Sequence, residues 1–105
     1  MKNEELLLEL NNKIKNELSI NMIKIYLFGS RVNGNCEEYS DYDILIILNE
    51  EYDWEKEKRI YDLAYEIMIK YNIIIDIKIL SKNEMVSEKG NQPFIQNAIN
   101  YGVYI

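Results

Sequence analysis

The residues best equipped for chemistry are three aspartates set in apolar surroundings. Asp41 and Asp43 stand at the head of the run YDILIIL, and Asp76 interrupts the run NIIIDIKIL. Alternate residues of a strand face the same way, so Asp41 and Asp43 point together and Tyr42 points opposite. Two carboxylates held that close repel, and one must stay protonated unless a cation sits between them. The sequence places no lysine or arginine beside the pair, and an unpaired buried carboxylate is costly. A divalent ion bound by oxygen answers all three cases at once. Mg2+ fits best, since it takes one or two carboxylates and leaves its other positions to water and substrate phosphates. A D-x-D tripeptide alone is a weak signal, and an aspartate at a strand's first residue is commonly a solvated loop end. The weight comes from the coincidence of such acids on two strands of one small sheet.

Gly29 and Ser30 supply a second element of the same chemistry. A glycine that ends a strand lets the backbone turn tightly and approach a ligand. A helical turn opening at Ser30 would present backbone N–H groups and a hydroxyl to a phosphate, with Arg31 adding positive charge. A Gly-Ser turn by itself is ordinary. Joined to a carboxylate metal site on the next strand, it describes phosphoryl or nucleotidyl transfer, in which two metal ions roughly 3.5–4 Å apart can neutralise the attacking and leaving oxygens. The protein's share of such a reaction is mostly positioning and charge screening.

The elements that must hold these residues follow from hydropathy. Leu7, Leu10, Ile14 and Leu18 recur at helical spacing, predicting an amphipathic helix over residues 4–18. MIKIYLF, Met22 to Phe28, is β-branched and aromatic and stops at Gly29, as a buried strand would. The loop 30–40 follows, with room for a helical turn at its start. Tyr42 to Leu48 reads as a strand buried on both faces. Asp53 is placed to cap a long helix through Tyr71, with Ile60, Leu63, Ala64, Ile67, Met68 and Tyr71 as its apolar stripe. Trp54 is expected to anchor the start of that helix by packing. A third strand is expected over Asn72 to Leu80, and SKNE has the spacing of a capping box. Pro93 suits the first turn of a last helix and Gly102 its end, and VYI closes the chain as a short added strand. The expected fold class is α/β (α+β): a small mixed sheet of three to four strands with helices packed on it, all in one domain over residues 1–105.

Composition narrows the chemistry further. With 105 residues, 48% hydrophobic and 29% charged, the chain has ordinary globular proportions. It carries no histidine and one cysteine, Cys36, which removes zinc sites and every Cys–His or Ser–His nucleophile pair. Carboxylates, hydroxyls, lysine, arginine and a hard metal ion remain. A net charge of −6 disfavours direct gripping of a nucleic-acid backbone. The start, MKNEELLLEL, has glutamates where an export signal would carry positive charge, and no run is long enough to span a membrane, so a cytoplasmic location is expected. Tyrosine is abundant, and Tyr39, Tyr42, Tyr52, Tyr101 and Tyr104 could serve an interface, though filling the edges of a small core is the commoner use.

The stretch GSRVNGNCEEYSDYD resembles the signature of the minimal nucleotidyltransferase (MNT) family of the DNA polymerase beta-like superfamily: Gly-Ser, ten residues, then Asp-x-Asp. Gly29 and Ser30 are followed by residues 31–40 and then by Asp41-Tyr42-Asp43, while Asp76 falls where the family has its third acid. Glu37, Glu38 and Tyr39 stand where members often carry a basic residue and a proline, and Tyr101 stands where many have an acid, a difference expected to affect packing only. The resemblance implies that ATP with Mg2+ (two ions) lies across Gly29, Ser30 and the aspartates, with Arg31 also binding the nucleotide, that Asp41 and Asp43 bind both metals, and that Asp76 binds one and helps deprotonate the acceptor. It also implies a partner. Free-standing MNT proteins resemble antitoxins that attach AMP to a tyrosine of a HEPN-domain toxin. The alternatives are an inhibitor that neutralises its partner by binding alone, and a small-molecule adenylyltransferase with an acceptor site built between subunits.

Overall fold

A computed structural model describes residues 2–20, 22–33 and 41–105, with only the backbone of Met22, Ile23, Ser30 and Asn33. The elements run α1 (Asn3–Leu18), β1 (Met22–Phe28), α2 (Ser30–Asn33), β2 (Tyr42–Leu48), α3 (Trp54–Tyr71), β3 (Ile75–Ser81), α4 (Lys82–Met85), a 3-10 turn (Glu88–Asn91), α5 (Pro93–Tyr101) and β4 (Val103–Tyr104). The strands form one mixed sheet in the order β3-β2-β1-β4. β1 is antiparallel to both β2 and β4, whereas β2 and β3 are parallel, joined through α3.

Strand periodicity divides the sheet into two unequal faces. Ile25, Leu27, Ile44, Ile46, Leu48, Ile75, Ile77 and Ile79 face α1 and α3, whose Leu6, Leu7, Leu10, Ile14, Ile60, Leu63, Ala64 and Ile67 complete the main core. Tyr26, Phe28, Leu45, Ile47 and Leu80 face the other way and pack under Ile95 and Ala98 of α5. β2 is therefore apolar on both sides, as its continuous run predicts. Two acids break the second face, Asp43 on β2 and Asp76 on β3.

The caps set the ends of these elements. Asp53 accepts a hydrogen bond from the Lys56 N–H at 2.9 Å and opens α3. Asn72 closes that helix in the left-handed conformation, φ 54°, with its N–H bonded to the Met68 carbonyl. That closure moves the third strand. The apolar run beginning at Ile73 belongs first to the helix exit, and the strand starts at Ile75 instead of Asn72 and continues to Ser81. Ser81 and Glu84 form the expected capping box, Pro93 opens α5, and Gly102 closes it ahead of β4.

Two packing expectations are corrected. Trp54 is 71% exposed and anchors nothing, because the buried face of α3 starts only at Ile60, nearly two turns later. Tyr101 is also 71% exposed, on the outward side of α5, so its difference from the family does not act through packing. At the free edge of the sheet, the Tyr52 hydroxyl donates to the Ile79 carbonyl at 3.0 Å and the Tyr61 hydroxyl to the Ile77 carbonyl at 3.5 Å. Both bonds occupy acceptors that an open edge would otherwise offer to another chain. Among the described residues, no helix is long and apolar enough to cross a membrane.

Candidate active site

The sheet register brings two of the three aspartates together. Asp43 and Asp76 are direct partners on the parallel strands β2 and β3, both on the face opposite the main core. Each lies near the start of its strand, beyond the part of that face which α5 covers through Leu45, Ile47 and Leu80. Asp41 sits one residue ahead of β2 and is exposed. Among the described residues, no three His, Cys, Asp or Glu side chains group closely enough to hold a metal ion. The arrangement is thus a side-by-side pair, with Asp41 near enough to act on it through its charge.

That charge is felt at Asp43. Partial burial, then the carboxylates of Asp76 and Asp41, push its pKa above the ordinary value of 3.8, while Lys78 pulls the other way. Lys78 is a cation that the sequence reading missed. It stands two residues beyond Asp76, so the strand period puts it on the same face. Its Nζ lies 3.5 Å from Asp76 Oδ1. The signal was present as D-x-K within β3, parallel in form to D-x-D at β2.

Gly29 is fitted to Asp43 as well as to the turn. Its φ is +81°, a conformation that side chains rarely adopt, and Phe28 before it pairs with Asp43 across β1 and β2. A Cβ at position 29 would collide with Asp43 Oδ2 and lie 3.3 Å from Cγ. The backbone turn therefore closes directly onto the carboxylate, leaving no room for any side chain between them. Ser30 opens α2, as expected, and the Val32 N–H returns to the Gly29 carbonyl at 3.1 Å. The Ser30 side chain and residues 34–40, with Cys36, Glu37, Glu38, Tyr39 and Ser40, lie outside the described part. Arg31 stacks on a neighbouring aromatic ring. Its guanidinium carbon lies 4.2 Å from the centroid of the Tyr42 ring, and Tyr42 belongs to the main-core face, opposite Asp43.

The donor set suits a hard cation. Asp43 and Asp76 offer only oxygen, and their mutual repulsion is of the kind that a divalent ion relieves. Two carboxylates, with the remaining positions given to water and phosphate, is the ligand pattern that Mg2+ favours.

Comparison with known proteins identifies relatives of the chain. Residues 9–105 match the sequence profile of the family described as Polymerase beta, Nucleotidyltransferase. The Methanocaldococcus jannaschii protein named "Putative protein adenylyltransferase MJ0604" is 31% identical over 102 residues, spanning 97% of this chain and 96% of its own. Among solved structures, the toxin-antitoxin MntA-HpeT mutant D39ED41E superposes with a TM-score of 0.62 at 18% identity, covering 98% of this chain and 72% of that one, a likeness of fold. The spectinomycin adenyltransferase AAD(9) of Enterococcus faecialis, solved with ATP and spectinomycin, gives a TM-score of 0.58 at 25% identity over 82% of this chain and 37% of its own.

Proposed function

The chain belongs to the polymerase beta nucleotidyltransferase family, and from that premise we propose that it transfers AMP from ATP to a hydroxyl of a partner protein, as the antitoxin of a module whose toxin is a HEPN-domain protein. The observation that carries the reading is the register pair Asp43–Asp76, standing on an open sheet face with the Gly29 turn closed against it. The relative from M. jannaschii, matched along nearly its whole length, is named "Putative protein adenylyltransferase MJ0604", and a chain of the toxin-antitoxin MntA-HpeT structure has a similar fold.

In this reading Asp43 and Asp76, joined by Asp41, hold Mg2+, which when bound screens the charge of the triphosphate. The Gly29–Ser30 turn lies along the phosphates, and its glycine permits the close approach. Asp76, 48% exposed, is the carboxylate open to the acceptor side. It takes the proton of the acceptor hydroxyl as the oxygen attacks the α-phosphorus. The new O–P bond forms as the bond to the bridging oxygen breaks, and pyrophosphate leaves with that electron pair. α5 covers the adjoining part of the face and keeps water from the buried side of the site. Arg31, stacked on Tyr42, fixes α2 against β2 and so holds the turn in place.

The test is incubation of the purified protein with ATP labelled on the α-phosphate and Mg2+, with and without the product of the neighbouring gene, followed by intact-mass analysis. One or more added AMP units on the neighbour are expected, with transfer reduced at least about 100-fold in Asp43→Asn. Full activity of that variant would overturn the mechanism. Tight association without added mass would show inhibition by binding in place of transfer.

A further inference from the structure

β3 carries three alternating residues on the site face, Asp76, Lys78 and Leu80, and only Leu80 is packed beneath α5. Lys78 stands beside Leu45 in the register, one step along the face from the Asp43–Asp76 pair. Its ammonium reaches back to Asp76 at 3.5 Å, with the two side chains 46% and 48% exposed. An exposed pair of this kind adds little to the stability of a fold. The main core draws on Ile75, Ile77 and Ile79 from this strand, so Lys78 is not held there by packing. What its position does provide is one positive charge within the field of two mutually repelling carboxylates, on a flexible four-carbon stem.

We propose that Lys78 is a displaceable counter-cation of the Asp43–Asp76 pair: its ammonium screens the two carboxylates when no divalent ion is bound, and moves onto the polyphosphate of the nucleotide when one is. This rests on the metal and nucleotide reading of the site given above. An ammonium and a divalent ion compete for the same carboxylate oxygens, so Lys78 weakens binding of the metal alone. With the ion in place, the displaced charge lies next to the triphosphate and strengthens binding of the metal–nucleotide complex. The lysine thereby favours loading of metal and nucleotide together over loading of metal alone.

The experiment follows free Mn2+ by electron paramagnetic resonance during titration of the wild type, Lys78→Gln, Lys78→Arg and Asp43→Asn, first without nucleotide and then with AMP-PNP at saturating Mn2+. Circular dichroism melting confirms that each variant is folded. Lys78→Gln is expected to bind Mn2+ alone about three- to tenfold more tightly than the wild type, and Mn2+–AMP-PNP more weakly by a similar factor. Lys78→Arg, which keeps the charge, stays with the wild type. Opposite shifts of this kind do not arise from a structural role. Unchanged or weaker Mn2+ affinity in Lys78→Gln, or undiminished affinity for AMP-PNP, overturns the proposal. If Asp43→Asn removes Mn2+ binding while Lys78→Gln alters neither affinity, only the role of Lys78 falls. If Asp43→Asn binds Mn2+ as the wild type does, the metal reading fails and takes this proposal with it.

Discussion

At Asp43, partial burial and the charges of Asp76 and Asp41 hold the carboxyl pKa above its ordinary 3.8. The native state therefore keeps a proton that the unfolded chain releases, and stability falls as pH rises through the window between 3.8 and the raised value. Above that window the carboxylate is ionised in both states and its full cost is present. Asp43→Asn should thus raise the melting temperature at pH 7 by about 2–4 °C. The gain should vanish at and below the ordinary carboxylate range, where the wild type is protonated too. Melting curves across that range check this, and a variant destabilised at pH 7 would mean that the carboxylate is structural. The three acids themselves were legible because carboxylates are conspicuous in apolar runs. Lys78 shares the face of Asp76 by the strand period, but only the register, which pairs Asp76 with Asp43, brings its charge near the acids of β2. The fit of Gly29 against Asp43 spans two strands and has no counterpart in local sequence.

Elements were readable where local chemistry and tertiary packing agree. β1 and β2 begin and end at the residues that hydropathy indicates, because Gly29 and the polar segment after Leu48 stop both runs in the chain as in the fold. Ile73 and Ile74 look like strand in the sequence, whereas in the fold the left-handed turn at Asn72 uses them to leave α3, and β3 starts at Ile75. Trp54 misled for a related reason: a large apolar residue at a helix start suggests an anchor, but its place on the helical wheel turns it to solvent. The junction of β3 with α4 shows the agreement at its clearest. Ser81 is fully buried, its Oγ accepts from the Glu84 N–H at 3.2 Å, and the Glu84 carboxylate accepts from the Ser81 N–H at 3.0 Å. Ser81→Ala removes one half of this box and should cost about 1 kcal/mol. Denaturant titration would read it as a lower midpoint with an unchanged slope. No loss of stability would mean that water replaces the hydroxyl at no cost.

Over the whole molecule, 18 acids oppose 12 bases, and the resulting charge of −6 is spread over a body of 35 × 29 × 20 Å. The ion pairs, Lys13–Glu66 at 3.2 Å and Lys89–Glu84 at 2.7 Å among them, are partly exposed and short. Salt acts unequally on these two contributions. With a Debye length of about 10 Å at 0.1 M, contacts near 3 Å are little screened, while repulsion between charges across the molecule is largely removed. Added NaCl should therefore raise the melting temperature, by roughly 2–5 °C between low salt and physiological ionic strength. MgCl2 at matched ionic strength gives the same screening and, under the metal reading proposed for the site, would also supply an ion that binds only the folded pair Asp43–Asp76. That binding adds about 1.4 kcal/mol at ten times its dissociation constant. The excess of MgCl2 over NaCl is thus a measure of the site, separable from the general field of the protein. It should disappear in Asp43→Asn while the NaCl effect persists. Equal melting temperatures in the two salts, with the wild type, would show that the acids of this face bind no Mg2+ without nucleotide.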